Sequence, residues 1–433
     1  MITTIIVCLI TCLLMILSIL FLPKIKFSRF SIPTYLVATI TGALVLVIFN
    51  KVDLKQLFQA LTSNSAVNPL KILVLFLSMS GLSIFLDELG FFKYLAFVTL
   101  KKAKTGQVKL FLYLYVIVSI LTVFTSNDVI VLSFTPFICY FTKNAKINPL
   151  PYLAAEFIAA NTWSMALIIG NPTNIYLATS LDISFISYLK VMIIPTLFAG
   201  ITAFLLLFLL FSKQLKKPIS CSPEEVKIKN KPLLIIGIMH LIICTIFLAI
   251  GSYINVEMWI VSLLSFISLM VTSFIASILQ KRHKRELIFT IQRLPFELIP
   301  FMLSMFVLIV ALNQNGVTKL LFNILNADNT ILSYGVSSFF ISNLINNIPM
   351  SVLFSSIVSL LQGSLSIQAV FSTIIGSNLG AFFTPIGALA GIMWTNILSK
   401  HDVKFGYLSF LKIGVLIALP TLLSALLGLS IVL

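Results

Sequence analysis

The sequence has few charged residues, few histidines and no recognisable catalytic motif. Charged residues make up 10% of the 433 residues, whereas hydrophobic residues make up 59%. The three histidines lie far apart, and no HExxH, GxSxG or P-loop pattern occurs. The sequence therefore lacks the residue patterns that a metal-dependent hydrolase, a nucleophilic hydrolase or an ATPase would need. We expect no enzymatic activity and no cofactor, and we keep a membrane-embedded enzyme only as the alternative of another class.

Cysteine is also scarce. The chain has five cysteines and no CxxC pair; they are Cys8, Cys12, Cys139, Cys221 and Cys244. Four of them fall in apolar stretches, so their positions support neither a disulfide framework nor a zinc site. We therefore expect no resident metal, apart from Na⁺ bound as a coupling ion.

Long hydrophobic stretches make up most of the chain. Their length of about 20 residues predicts an all-α polytopic membrane protein, and their continuity argues against the alternating pattern of a β-barrel. The net charge of +16 lies in loops between these stretches, so the positive-inside rule explains it better than a nucleic-acid partner does. The predicted spans are 2–22, 33–49, 70–89, 152–181, 186–212, 232–251, 256–279, 298–315, 367–397 and 405–431. We expect the first of them to be retained as a helix.

Polar residues interrupt two further apolar segments, 108–142 and 331–362. The interruptions are Ser-Asn-Asp at 126–128 and Asn-Leu-Ile-Asn-Asn-Ile-Pro at 343–349. Amides and a carboxylate at that depth have no water to satisfy them, so they must line a protected cavity or bind a solute. We expect each segment to be a re-entrant hairpin with the polar residues at its tip.

The distribution of basic residues supports the two hairpins. If both segments are hairpins and the N-terminus is outside, few of the 29 Lys and Arg residues lie on the outer face: Lys51, Lys55, Lys71, Lys190 and Lys319. Treating either segment as a single span inverts the loops that follow and removes this bias. We expect hairpin 1 to enter from the cytoplasm and hairpin 2 from outside. Both termini of this cell-membrane protein are then outside.

The two halves of the chain resemble each other. Asn161, followed by an Ile-Gly pair, matches Asn378, which is also followed by an Ile-Gly pair. Each Ile-Gly pair lies in or next to a loop that contains proline; the two loops are 170–174 and 384–387. Proline removes a backbone donor and glycine permits non-helical angles. Each of these spans is therefore expected to be two half-helices joined by an unwound loop.

An inverted repeat with broken helices is typical of secondary transporters, whose site lies near the midplane between the repeats. We predict about 10 spanning helices plus two re-entrant hairpins in such a repeat. The predicted division is N-terminal scaffold helices at 1–68, a first inverted repeat at 69–212, a cytoplasmic linker at 213–231, connecting scaffold helices at 232–297 and a second inverted repeat at 298–433.

The tips and broken loops supply the candidate site. Amides, unwound carbonyls and half-helix ends can hold a cation, and half-helix N-termini attract anions. Asp128 is the predicted coupling group for H⁺ or Na⁺, because a carboxylate near the midplane is costly unless it is paired, protonated or bound to a cation. A hydrogen-bonded structural acid is the alternative. The candidate substrate- or ion-binding residues are Ser126, Asn127, Asp128, Asn161, Gly170, Asn171, Pro172, Thr173, Asn174, Asn343, Asn346, Asn347, Pro349, Asn378, Thr384, Pro385 and Gly387.

Three other acids receive weaker expectations. Glu156 is predicted near the cytoplasmic start of its span, where its side chain would reach the membrane interface; a role in gating is the alternative. Asp87 and Glu88 fall at a helix end, and a structural and a functional role are equally open for them.

Several short motifs, spread along nearly the whole chain, resemble the motifs of one known family. They are Leu86-Asp87-Glu88-Leu89-Gly90-Phe91-Phe92, Asn127-Asp128 with Thr135-Pro136, Asn346-Asn347-Ile348-Pro349-Met350, Gly376-Ser377-Asn378-Leu379-Gly380, Thr384-Pro385-Ile386-Gly387-Ala388-Leu389-Ala390, and Trp394. They resemble the ion transporter superfamily, most closely its arsenite/antimonite permease (ArsB-type) branch. The resemblance implies a scaffold domain, a transport domain with paired hairpins, an elevator-type movement and, in many members, a homodimer.

The chain departs from the arsenite branch in two ways. Asn161 and Asn378 stand where that branch usually has acidic residues, and 170–174 looks more like the Gly-x-Pro-x-Asn loop of the sodium-coupled anion and sodium/proton branches. The resemblance implies a secondary active transporter of a small anionic or neutral oxyanion solute, with arsenite or antimonite efflux first. A Na⁺/H⁺ antiporter or a sodium-coupled carboxylate transporter is the alternative. Expected partners are the solute, membrane lipid and a second copy of the chain; a separate ATPase subunit stays open.

Overall fold

The structure is a computed structural model that describes residues 1–22, 24–27, 30–64, 68–103, 106–216, 226–251, 254, 256–281, 285–325, 328–403 and 405–433. The described residues are mainly helical, as the hydrophobic stretches predicted. The helices are α1 Ile2–Phe21, α2 Thr34–Ile48, α3 Leu54–Thr62, α4 Pro69–Glu88, α5 Phe91–Ala103, α6 Gln107–Phe124, α7 Asn127–Asn144, α8 Leu150–Trp163, α9 Pro172–Thr179, α10 Phe185–Leu215, α11 Lys231–Gly251, α12 Met258–Leu279, α13 Arg285–Gln292, α14 Leu298–Gln314, α15 Val317–Leu325, α16 Thr330–Ile345, α17 Asn347–Val358, α18 Ser364–Gly380, α19 Leu389–Lys400 and α20 Tyr407–Val432.

Seven helices in the described part of the chain are long and apolar enough to cross a membrane, and α14 with α15 makes an eighth if that bent pair is one span. The two members of the pair meet at 79°, and Gly316 between them has a φ of 76°, which side chains disfavour. The seven include α6, which the sequence predicts as a hairpin arm. The other six correspond to predicted spans. The remaining four of the predicted ten do not qualify, because 152–181 and 367–397 are each divided, α2 has only 15 residues, and α14, with 17, qualifies only together with α15.

Several short elements were not predicted. β1, Lys24–Phe27, pairs antiparallel with β2, Phe30–Pro33, between α1 and α2. The helices α3, α5, α13 and α15 are also absent from the predicted spans, because each is too short to give a hydrophobic stretch of membrane length. Much of the predicted linker lies outside the described residues, namely 217–225, which include Cys221.

Seven helices of the first half recur in the same order in the second half. α4 to α10 correspond to α14 to α20: a long helix, a short helix, two helices joined at a polar tip, two half-helices joined by an unwound loop, and a closing helix. The closing helices α10 and α20 run antiparallel, because Ser424 contacts Thr202 while Gly428 packs on Phe198. The repeat is therefore inverted, as the sequence predicts.

The chain reverses direction at the first polar tip. α6 and α8 run parallel, because Gln107 near the start of α6 bonds Tyr152 near the start of α8, and Tyr115 further along α6 contacts Trp163 further along α8. The helix between them, α7, must therefore run back. The segment forms a helical hairpin with its tip at the predicted position, and its depth in a membrane stays a prediction.

The second tip repeats this arrangement. α16 and α18 run parallel, because Gly376 packs on Ser338 and Gly380 packs on Ser342. An added Cβ would lie 2.1 Å from Ser338 Oγ and 2.2 Å from Ser342 Oγ, so the two helices approach this closely only at glycine. α17 returns between them and completes the second hairpin.

The two halves meet through their hairpins and broken helices. α7 packs on α19 of the other half, α17 packs on α9, and α8 contacts α18. Both polar tips and both unwound loops therefore lie in one region, enclosed by the long helices. This arrangement places the candidate site between the repeats.

Candidate substrate and ion site

The first tip is held by an asparagine pair. Ser126 precedes α7 and Asn127 opens it. The Asn127 side chain accepts a hydrogen bond from the Asp128 N–H at 2.9 Å and donates to Asn161 Oδ1 at 3.1 Å. Asn161 lies on α8 and is fully buried. Two predicted site residues from separate segments are therefore in direct contact.

The first unwound loop owes its shape to three residue types. Pro172 occupies the first turn of α9, where its missing N–H costs nothing. Asn171 caps the same helix by accepting from the Thr173 N–H at 3.1 Å. Gly170 is required because a Cβ there would lie 2.1 Å from the Ser164 carbonyl oxygen. The loop therefore ends in a capped half-helix, as its sequence predicts.

Asn378 of α18 joins the second half to this loop. Its amide nitrogen donates to Asn174 Oδ1 at 2.6 Å and to the Ile374 carbonyl at 2.8 Å. Its Oδ1 accepts from Asn171 at 3.1 Å and from Ser164 Oγ at 3.0 Å. Protein partners therefore use both of its donors and both of its acceptor positions. Asn378 clamps the two halves together, and contact with a ligand would require these bonds to rearrange.

The second tip is tied to the second unwound loop through its backbone. Asn346 has a φ of 72° and a ψ of 153°, a strained backbone conformation that residues other than glycine rarely adopt. Its side chain donates to the Ile386 carbonyl at 3.2 Å and accepts from the Ile348 N–H at 3.3 Å. The Asn347 N–H donates to the Gly387 carbonyl at 3.0 Å. Tip and loop therefore form one unit.

Asn343 fastens the same loop from α16. It donates to the Gly380 carbonyl at 3.1 Å, and its Oδ1 accepts from the Thr384 N–H at 3.1 Å and from the Thr384 hydroxyl at 2.6 Å. Pro385 follows in the loop, and Pro349 is buried in the first turn of α17. The amide of Asn343, like that of Asn378, is occupied by protein groups.

The buried polar atoms that have no hydrogen-bond partner among the described residues include Ser126 Oγ, Asn347 Oδ1 and Ser377 Oγ. An unpaired buried polar atom is costly and needs an explanation such as a bound ion, solute or water. One of these atoms lies at each tip, and the third is next to Asn378 in the chain. Ser377 is not among the predicted site residues, although it sits in a motif that the sequence singles out.

A cavity of about 440 Å³ lies beside the first tip, between α4, α7, α19 and the start of α14. Asp128 lies on its wall together with Ser80 of α4. Asp128 forms no ion pair within the described part of the chain. The other charged lining residues are Lys24, Arg293 and Glu297. Burial raises the pKa of Glu297, and the charge of Lys24 offsets part of that rise.

The arginine of this cavity is already neutralised. Arg293 Nη1 lies 2.8 Å from the Asp87 carboxylate and 2.5 Å from the Glu88 carboxylate. The two acids at the end of α4 therefore bind the loop that precedes α14. This contact favours the structural role for Asp87 and Glu88, and it leaves no free guanidinium for an anionic solute.

A second cavity, of about 420 Å³, lies nearer the other end of α4 and contains none of the predicted site residues. Lys71 donates to Glu257 at 2.5 Å and to Asn64 at 2.5 Å on its wall. The hydrogen bond from Lys71 holds the pKa of Glu257 below its usual value. The first turns of α4 line this cavity and its later turns line the other, so α4 separates the two.

The structure places one acid differently from its prediction. Glu156 is 0% exposed, and Thr135 Oγ1 lies 3.2 Å from each of its carboxylate oxygens. The expectation that it reaches the membrane interface is wrong, because α6, α7, α10 and α18 surround α8. No local pattern reveals this burial, since it depends on helices that are distant in the sequence.

Comparison with known proteins places this architecture among transporters. Residues 2–374 match the family described as CitMHS, citrate transporter. The "Arsenical pump membrane protein" of Escherichia coli K12 is 25% identical over 371 residues, which cover 82% of this chain and 85% of the relative. The "Putative arsenical pump membrane protein" of Bacillus subtilis 168 is 25% identical over 415 residues, covering 88% and 91%. The "46 kDa membrane protein" of Mycobacterium leprae is 23% identical over 408 residues, covering 87% and 89%.

One solved structure has the same overall fold. The YdaH transporter of Alcanivorax borkumensis, whose crystal structure is described as having an unusual topology, aligns with a TM-score of 0.57. The alignment covers 99% of this chain and 97% of that one at 13% identity. At this identity the likeness concerns the arrangement of the helices.

Proposed function

Because this chain belongs to the CitMHS family of membrane transporters, we propose that it exports a small oxyanion or its neutral oxyacid, with arsenite or antimonite first, in exchange for H⁺. Two of the relatives compared above are named as arsenical pumps, which supports this class of solute. The observation that carries the proposal is the position of Asp128, a carboxylate at a hairpin tip on the wall of a cavity.

The charge balance of the cavity favours a neutral or weakly charged solute. Its cationic residues are Lys24 and Arg293, and Arg293 is held by two carboxylates outside the lining. Asp128 and Glu297 add negative charge to the wall. A multivalent anion is held best by an unpaired arginine or a cluster of cations. A neutral polyhydroxy acid needs only hydrogen-bonding groups, which the tips supply.

Asp128 would couple solute movement to protons by changing charge. A free carboxylate inside a membrane protein is costly to move, whereas a protonated one is not. In the proposed cycle the group exchanges its proton on each side of the cytoplasmic membrane, and solute and proton move in opposite directions. The hairpins and half-helices would move as a unit past α4 and α14 in an elevator-type step. The cavities beside the first and the later turns of α4 support this movement, because both leave unfilled space next to the helix that the unit would pass.

A sodium-coupled carboxylate transporter remains the second candidate. The family carries the name of citrate, and the unpartnered oxygens of Ser126, Asn347 and Ser377 are ligands of the kind that Na⁺ takes. Its weakness is that Lys24 alone would face a multivalent anion in the cavity beside the first tip, since Arg293 is held by Asp87 and Glu88.

The test uses purified protein in proteoliposomes. We expect a pH gradient to drive uptake of antimonite or arsenite into inside-out vesicles, and we expect a Na⁺ gradient to have no effect. Citrate with a Na⁺ gradient is the matched comparison. Uptake of citrate driven by Na⁺ would replace the proposal with its alternative, and flux that ignores both gradients would remove coupled transport altogether.

A further inference from the structure

Glu156 is a buried acid that the proposed coupling step does not use. It is 0% exposed; the Thr135 hydroxyl of α7 lies 3.2 Å from each of its carboxylate oxygens, and the indole N–H of Trp394 in α19 is a second hydrogen-bonding group beside it. No ion pair to Glu156 exists within the described residues. An ionised carboxylate in such surroundings would have only neutral hydrogen-bonding groups to stabilise it, so burial favours the protonated form.

The charged groups of the surrounding helices do not change this conclusion. Each lysine on these helices is exposed to the surroundings, and α18 carries no ionisable side chain. The ionisable residues of the helices packed around Glu156 and of α19 are Lys109, Tyr113 and Tyr115 of α6, Asp128, Cys139, Tyr140 and Lys143 of α7, Tyr188, Lys190 and Lys213 of α10, and Lys400 of α19.

One face of α7 connects Glu156 to the cavity. Asp128, Leu132 and Thr135 follow one another at helical spacing, and both Asp128 and Leu132 line the cavity. Pro136 lies inside the helix and has no N–H, so the Leu132 carbonyl lacks its intrahelical donor. The rise of a helix puts Thr135 about 10 Å beyond Asp128. Polar groups therefore continue from the cavity wall to Glu156 at intervals of about one turn.

We propose that Glu156 is a second proton-binding site, loaded from the cavity along the face of α7 that carries Asp128, the free Leu132 carbonyl and the Thr135 hydroxyl. Loading converts the carboxylate and a hydronium ion into the carboxylic acid and water, and release is the reverse. As a step in coupling, this site rests on the proposed transport function. As a proton-binding group, it is independent of the solute.

Infrared difference spectroscopy on purified protein tests the site without any transport. The carbonyl stretch of a protonated carboxylic acid is separate from that of a carboxylate. We expect the wild-type protein to show this band at neutral pH and Glu156→Gln to lack it, because the amide has the shape of the neutral acid without its band. Glu257→Gln changes an exposed acid at the end of α12 and is the matched control; it must keep the band.

Two further variants separate proton binding from a structural role. Thr135→Val removes the hydroxyl, so the band should persist at a shifted frequency. Pro136→Ala supplies an N–H to the Leu132 carbonyl and should slow the exchange of the Glu156 proton with heavy water several-fold.

A carbonyl band that is identical in the wild type and in Glu156→Gln overturns the assignment to Glu156. A band that exchanges equally fast in Pro136→Ala overturns the route. Failure of arsenite or antimonite transport alone would contradict the proposed function and would leave the band in place.

Discussion

At the residue scale, Asp128 differs from the amides around it because it can change its charge. We predict that Asp128→Asn abolishes pH-driven uptake while the protein still folds, since the amide keeps the size of the neutral acid but cannot release a proton. Uptake in proteoliposomes measures the first effect and the unfolding temperature measures the second. Solute exchange without a gradient should survive in the variant. Normal pH-driven uptake by Asp128→Asn would show that Asp128 is a structural acid.

Asn378 has a structural role, unlike the coupling role predicted for Asp128, because four hydrogen bonds join its side chain to other protein groups. Asn378→Ala leaves the amides of Asn171 and Asn174 without these partners in a buried region, and we expect a loss of about 2–5 kcal/mol of stability, on the basis of about 1–3 kcal/mol for each unpaired group. Thermal or denaturant unfolding measures it. Asn396→Ala, at an exposed asparagine of α19, is the control and should change stability little. Equal effects of the two substitutions would argue against the clamp.

Single residues also show where sequence reasoning stops. Asp128 and the tip asparagines could be identified because polar residues inside an apolar stretch are conspicuous. Glu156 could not be identified, because its position near the start of a predicted span gives no hint of the helices around it. The pairing of Arg293 with Asp87 and Glu88 joins residues about two hundred positions apart, and no local pattern encodes such a contact.

At the element scale, the hairpins depend on close approach between parallel helices. A Cβ on Gly380 would lie 2.2 Å from Ser342 Oγ and 2.7 Å from the Phe339 carbonyl oxygen, and the carbonyl cannot rotate away. We predict that Gly380→Ala separates α16 from α18, costs about 1–3 kcal/mol of stability and impairs transport. Gly406→Ala is the matched control, since no atom lies within 4 Å of the added Cβ. Wild-type stability in Gly380→Ala would mean that this contact is not tight in the protein.

Helix positions were the most predictable elements, and short connecting elements were the least. Long helices are predicted from hydropathy because the lipid requirement for about 20 apolar residues is strong and local. The β1–β2 pair and the four short helices lie between such stretches and follow from contacts with neighbouring segments. The breaks in the two divided spans were predictable because proline and glycine act on their own backbone.

At the scale of the whole molecule, the inverted repeat explains why the site is asymmetric although its frame is symmetric. Equivalent hairpins place Asn127 and Asn346 at corresponding tips, but the next residue is a carboxylate in one half and an amide in the other. The inverted repeat gives two similar hairpins, but only the first carries a titratable residue, Asp128, at the position where the second has Asn347. Proton coupling, if it occurs at the tips, therefore belongs to the first repeat.

The orientation of the repeat in the membrane gives the last prediction. The distribution of basic residues predicts that the end of hairpin 1 lies in the cytoplasm and the start of hairpin 2 lies outside. In a background without native cysteines, Asn144→Cys should react with a membrane-impermeant thiol reagent only after cells are opened, and Asp328→Cys should react in intact cells. Asn144 is the last residue of α7 and Asp328 lies between α15 and α16; both are exposed, so neither substitution should disturb packing. The reverse pattern would place both termini inside and contradict the predicted topology. Labelling of both positions in intact cells would show that the two hairpins open to the same face, which an inverted repeat does not allow.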